Sequence, residues 1–95
     1  MKKYEAMFIV RPDLPEEERK ILFGQINEII TKNGGKVSSA AVWSEKRKMC
    51  FKIKKYAEGV YYLVNFTCIP TSIDAINRVY KMNENILRVL ISSME

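Results

Sequence analysis

Two segments with helical periodicity divide this chain of 95 residues into four stretches rich in β-branched and aromatic residues. The first segment begins at Pro15, where proline and the acids that follow it suit the start of a helix, and it ends at Gly34. The second begins near Pro70 and ends near Asn83. The sequence therefore predicts strands and helices in the order β-α-β-β-α-β.

The four remaining stretches are predicted to be the strands of one sheet. They cover Tyr4–Val10, Lys36–Ile53, Val60–Cys68 and Ile86–Ile91, with residues 56–59 as the turn between the middle two. This order is typical of an α+β, ferredoxin-like split β-α-β fold, a four-stranded antiparallel sheet with both helices on one face. We expect residues 1–95 to form a single domain of this kind.

Alternation along the strands predicts which side chains lie beneath the helices. The buried set comprises Tyr4, Ala6, Phe8 and Val10, then Met49, Phe51 and Ile53, then Tyr62, Val64, Phe66 and Cys68. The open face of the sheet would carry Met7, Ile9, Lys48, Cys50, Lys52, Tyr61 and Leu63. A bend in the second strand is expected near Ser44. A contiguous surface that is partly apolar and partly basic favours a role in binding.

The strongest local signal for function is the run from Lys46 to Lys55. Six of its ten residues are basic and none is acidic, and apolar residues alternate with the charges from Lys48 onward. Lysine and arginine neutralise phosphates and release counterions, which favours nucleic acid of any sequence. Lysines also protect an exposed sheet edge against aggregation, so the run alone leaves both interpretations open. Its candidate RNA contacts are Lys46, Arg47, Lys48, Lys52 and Lys54.

Further candidates lie outside this run. Lys2 and Lys3 form a second basic element at the start of the first strand, and Arg88 lies in the last strand. Trp43 has three open interpretations: stacking on a base, insertion into a protein partner, or packing at the bend of its own strand.

Composition excludes several classes of site. The chain has no histidine, and Cys50 and Cys68 lie on opposite strand faces, so no metal centre is predicted. Glu16, Glu17 and Glu18 suit a helix dipole rather than acid–base catalysis. No apolar run is long enough for a membrane span, and no cofactor or small-molecule substrate is predicted. The net charge of +5 permits a polyanionic partner without requiring one.

Over nearly its whole length the chain resembles the bacterial small-subunit ribosomal protein six family. The residues that carry the resemblance are Lys2–Glu5, Val10–Pro12 with the acidic helix start after it, Arg47–Phe51 with Ile53, and Leu87–Val89. One departure follows Trp43, where Ser44 and Glu45 stand in place of the glycine that is common in the family. This looks like one extra residue, and it leaves the register of the strand undetermined there.

The resemblance implies a cytoplasmic, non-catalytic structural constituent of the small ribosomal subunit. It implies binding to the central domain of 16S rRNA jointly with small-subunit ribosomal protein eighteen. On this basis Lys2, Lys3, Arg47, Lys48 and Arg88 are assigned to phosphates or to acidic groups of the partner, with Lys46, Lys52 and Lys54 adding attraction. Contact with the partner protein is assigned to Trp43, Cys50, Tyr61 and Leu63.

Two alternatives remain at this point. A protein-interaction or regulatory module of the same fold would use the open sheet for dimerisation and would not bind RNA. An acylphosphatase-like enzyme would need an anion-binding loop after the first strand, where Arg11 is present without a glycine-rich cradle. An RNA-recognition motif is disfavoured, because Glu58 replaces the leading basic residue of its third strand.

Overall fold

A computed structural model describes residues 1–94 of the chain and shows the predicted order of elements. The strands are β1 (Lys2–Val10), β2 (Lys36–Ile53), β3 (Tyr56–Cys68) and β4 (Ile86–Ser93), and the helices are α1 (Glu16–Lys32) and α2 (Ile73–Lys81). A short 3-10 turn, Pro70–Ser72, leads into α2. The strands pair antiparallel in the order β2-β3-β1-β4. The ferredoxin-like α+β prediction is confirmed.

The hydrophobic core lies between the two helices and one face of the sheet. Phe8 of β1 is fully buried, and its ring meets that of Tyr80 of α2 edge-on at 4.7 Å. The Tyr80 hydroxyl donates a hydrogen bond of 2.6 Å to the carbonyl oxygen of Ile26, which ties α2 to α1. Burial follows a strict alternation in β1 and in β3 from Val60 onward, as predicted.

Helix α1 ends in a hydrogen-bonded glycine cap. Gly34 has φ +82°, and its N–H donates to Thr31 while that of Gly35 donates to Ile30. This is the Schellman arrangement, in which the left-handed residue satisfies the last carbonyls of the helix. It also starts β2 close beneath the helix, because a Cβ on Gly35 would lie only 2.7 Å from the side chain of Ile30.

We expect Gly34→Ala to lower the free energy of unfolding by about 1 kcal/mol, because alanine in the left-handed conformation brings Cβ against a carbonyl oxygen. Gly24→Ala is the matched control. Gly24 lies within α1 with free space around it, so the same substitution is expected to raise stability by about 0.5–1 kcal/mol. Urea denaturation measures both. A change of the same sign in the two variants would contradict this account of the cap.

Strand β2 is irregular, and its irregularity reverses one predicted assignment. Its pairing with β3 shifts at four places, one of them between Ser44 and Arg47, and Lys46 there has φ +46°. The bend expected near Ser44 is therefore present. Arg47 pairs with Gly59 on the open face, and Lys48 pairs with Glu58 on the helix side.

The predicted faces of the second half of β2 are consequently wrong. Phe51, which was predicted to lie beneath the helices, is 77% exposed, and Met49 and Ile53 lie with it on the open face. Lys48 and Lys52 lie on the reverse side instead and stay exposed there. One extra residue in a strand moves every later side chain to the other face, because the side-chain period is two.

The turn between β2 and β3 also lies earlier than predicted. It consists of Lys54 and Lys55, both with positive φ, as in a type I′ hairpin. Residues 56–59, predicted to form the turn, are instead the first residues of β3. The hairpin is therefore longer than predicted, and its turn brings Lys54 beside Tyr80 and Lys81 of α2.

Candidate interface on the open face of the sheet

An arginine held by two aromatic rings forms the centre of the open face. The guanidinium carbon of Arg47 lies 4.8 Å from the centroid of the Trp43 ring and 6.0 Å from that of Tyr61. The two rings are 5.8 Å apart and tilted by 52°. These contacts position the guanidinium through cation–π attraction. Its N–H groups donate no hydrogen bond within residues 1–94 and are therefore available to an acceptor on a binding partner. We call Trp43, Arg47 and Tyr61 the open-face cluster.

A shallow apolar depression of about 200 Å³ adjoins the open-face cluster. Gly59 makes this close packing possible, because a Cβ there would collide with the side chain of Ile9 and lie 3.7 Å from the sulfur of Met49. The lining residues are Ile9, Met49, Phe51, Ile53, Tyr61 and Arg88. The arrangement offers an apolar contact surface between two arginines, Arg47 and Arg88.

The predicted basic residues fall into separate groups. Arg88 pairs with Ile9 and therefore shares the open face with Arg47. The reverse side and tip of the hairpin carry Lys46, Lys48, Lys52 and Lys54, all exposed. Lys2 and Lys3 lie at the other end of β1, about 20 Å from this region. The structure therefore places Arg47 and Arg88 on one face, on the two edge strands of the sheet, and does not gather the rest of the predicted set around them.

The residues predicted to contact a protein partner lie side by side, as far as the structure describes them. Trp43 is 51% exposed, so packing within its own strand covers only part of the ring. Tyr61 and Leu63 are half-buried neighbours on the open face of β3. The side chain of Cys50 lies outside the described part of the structure.

Sequence reasoning missed the apolar contribution of Met49, Phe51 and Ile53 to this face. Lysines at 48, 52 and 54 alternate with apolar residues at 49, 51 and 53, with Cys50 interrupting the lysines, but such alternation does not show which set faces the helices. The signal that decides between the faces is the extra residue after Trp43, which comparison with the family pattern indicates but which the face assignment by alternation did not include. Leu90, 55% exposed and paired with Met7, was also overlooked.

Arg11, the residue that an acylphosphatase-like site would use, already has its guanidinium hydrogen-bonded to neighbouring side chains. Its Nε and Nη2 atoms each donate to a carboxylate oxygen of Asp13 at 3.1 Å, and Nη1 donates to Asn85. Through these hydrogen bonds Arg11 lowers the pKa of Asp13 below its usual value. The Tyr56 hydroxyl also donates to Asp13, at 3.3 Å. The arrangement fixes the chain between β1 and α1 and ties it to the hairpin.

None of the helices within residues 1–94 has the length and hydropathy to cross a membrane. Over the same range, no cluster of three or more histidine, cysteine, aspartate or glutamate side chains is placed to hold a metal ion.

Comparison with known proteins gives one consistent answer. The family model described as Ribosomal protein S6 matches residues 3–93. The small ribosomal subunit protein bS6 of Symbiobacterium thermophilum is 43% identical over 91 residues, which are 96% of this chain and 95% of that protein. The corresponding protein of Exiguobacterium sibiricum is 36% identical over 95 residues, covering 100% of this chain and 99% of its own length.

A solved structure agrees with these relatives. The crystal structure of 30S ribosomal protein S6 from Thermotoga maritima superposes with a TM-score of 0.89 at 31% identity. The alignment covers 97% of this chain and 86% of the Thermotoga maritima chain.

Proposed function

The chain belongs to the ribosomal protein S6 family, and from this premise we propose that it binds 16S rRNA jointly with small-subunit ribosomal protein eighteen. The family is one of structural proteins of the small subunit of the bacterial ribosome, a cytoplasmic particle, and not of enzymes. The proposed RNA site is the central domain, where the two proteins would take part in assembly of the platform.

One observation carries the proposal: the open face combines exposed apolar surface with an arginine held by two aromatic rings, next to a lysine-rich hairpin. Exposed apolar and aromatic residues that surround an arginine are typical of protein–protein contacts, in which Trp, Tyr and Arg contribute most. Exposed lysines on the adjoining hairpin supply phosphate contacts that do not depend on sequence. A protein of net charge +5 then gains RNA affinity by presenting this charge together with a partner.

The two sides of the hairpin are suited to different binding partners. We assign the partner protein to the open face, with Trp43, Tyr61 and Leu63 joined by Phe51 and Met49. Cys50 stays in the proposed contact through the family resemblance alone, since the strand register predicted for this part of β2 is wrong. The proposed RNA contacts are Lys2, Lys3, Lys46, Arg47, Lys48, Lys52, Lys54 and Arg88. Of these, Arg47 and Arg88 lie where the two partners would meet.

We expect Phe51→Ser to weaken binding of small-subunit ribosomal protein eighteen about tenfold in the absence of RNA, because it removes an exposed aromatic anchor. Isothermal titration of the purified proteins measures this. Met82→Ser is the matched control, since Met82 is 78% exposed near the end of α2, on the other side of the sheet, and is expected to leave affinity unchanged. Equal losses in both variants, or none in Phe51→Ser, would contradict the assignment of the partner to the open face.

A further inference from the structure

Three lysines of the β2–β3 hairpin have left-handed backbone. The φ angle is 46° at Lys46, 48° at Lys54 and 79° at Lys55. Side chains with a Cβ disfavour this conformation, which is why glycine and asparagine are the usual residues there. Within residues 1–94, these lysines are the only non-glycine residues with positive φ. Strained backbone that carries charged side chains is a feature of binding segments.

Two of these lysines, Lys46 and Lys55, line the same surface depression. Lys46 lies at the bulge of β2 and Lys55 lies in the turn, nine residues later along the chain. Both line a shallow depression of about 380 Å³ between the hairpin and the end of β1. Lys54, their neighbour in the turn, lines a different depression, beside Tyr80 and Ile86. The bulge and the turn thus bring together two lysines that alternation alone would leave apart.

The charges around this depression favour an anion. Neither Lys46 nor Lys55 has a hydrogen-bond or ion-pair partner among the residues that the structure describes. Two carboxylates lie at its rim. Asp13 accepts two hydrogen bonds from Arg11, whereas Glu58, which lies opposite Lys48 in the strand register, forms no ion pair within residues 1–94. Two unpaired ammonium groups therefore remain for a ligand.

We propose that Lys46 and Lys55 form a phosphate clamp, in which one phosphodiester of the RNA backbone lies between the two ammonium groups. This inference rests on the proposed function, because RNA is the source of the phosphate. Lysine suits the task, since its ammonium is a compact charge with three donors on a flexible stem. The left-handed backbone belongs to the bulge at Lys46 and to the type I′ turn at Lys55, and these two irregularities place both stems beside the same depression.

Glycine substitutions test the clamp, because glycine removes both the charge and the strain. Lys46→Gly and Lys55→Gly are each expected to raise the melting temperature by about 4 °C and to lower RNA affinity about fivefold. The double variant should lose about tenfold, less than the product, because the two lysines share one phosphate. Affinity is measured on the chain plus small-subunit ribosomal protein eighteen, with an RNA fragment that contains the central-domain junction, at two salt concentrations.

Lys20→Ala is the matched control for the clamp. It removes the same charge at an exposed position on α1 that has no place among the proposed RNA contacts, so the expected loss of RNA affinity is less than about twofold. A loss in Lys20→Ala as large as that in Lys55→Gly would overturn the clamp, and so would full affinity in Lys46→Gly and Lys55→Gly. In both cases the unsubstituted chain still binds RNA and the proposed function stands. Failure of the unsubstituted chain to bind RNA with its partner would overturn both.

Discussion

Arg47→Glu is expected to weaken the complex of the chain, small-subunit ribosomal protein eighteen and the RNA fragment about 100-fold, or about 2.7 kcal/mol. The wild-type guanidinium is held over Trp43 and Tyr61, so little side-chain freedom is lost when it binds an anion. A carboxylate there would be repelled by phosphate and by the faces of both rings. Filter binding at fixed salt measures the loss.

Lys20→Glu is the matched control for Arg47→Glu. It makes the same change in net charge at an exposed position on α1, away from the open face. We expect a loss of about threefold, which reports the weaker long-range attraction of a less basic protein. If the two variants lost equal affinity, net charge alone would account for binding, and Arg47 would have no special place in the interface.

Phe8→Ala is expected to lower the free energy of unfolding by about 4 kcal/mol. Phe8 is fully buried between the sheet and the helices and meets the ring of Tyr80 at 4.7 Å. Removal of the ring forfeits its transfer free energy and leaves a cavity that the rigid sheet cannot close. Denaturation in urea measures the loss.

Met7→Ala tests whether the loss in Phe8→Ala depends on burial beneath the helices. Met7 is the adjacent residue of β1, half-buried on the open face, so its truncation is expected to cost only about 1 kcal/mol. Similar losses at the two positions would contradict the assignment of the core to one face of the sheet.

The regular part of the fold followed from the sequence because its signals are local. The helix at Glu16–Lys32 has its acids in the first turn and a glycine cap after it, and both features act within a few residues. Buried and exposed side chains alternate without interruption in β1, and in β3 from Val60 onward. One buried residue such as Phe8 therefore fixes the face of every other residue in its strand.

The second half of β2 could not be predicted in the same way. Its register depends on pairing with β3 and on the left-handed conformation of Lys46, a residue type that gives no local indication of a bulge. The same limitation placed the turn at 56–59 rather than at Lys54 and Lys55, since a type I′ turn usually contains asparagine or glycine. The candidate site was affected most, because it lies where these irregularities occur.

The most direct test of the central claim is the affinity of the unsubstituted chain for an RNA fragment containing the central-domain junction of 16S rRNA. It is measured with and without small-subunit ribosomal protein eighteen, at two salt concentrations. The account predicts tight binding only in the presence of the partner, with an affinity that falls steeply as salt rises. Equal RNA affinity with and without the partner would contradict the joint site, and no binding in either condition would contradict the proposed function.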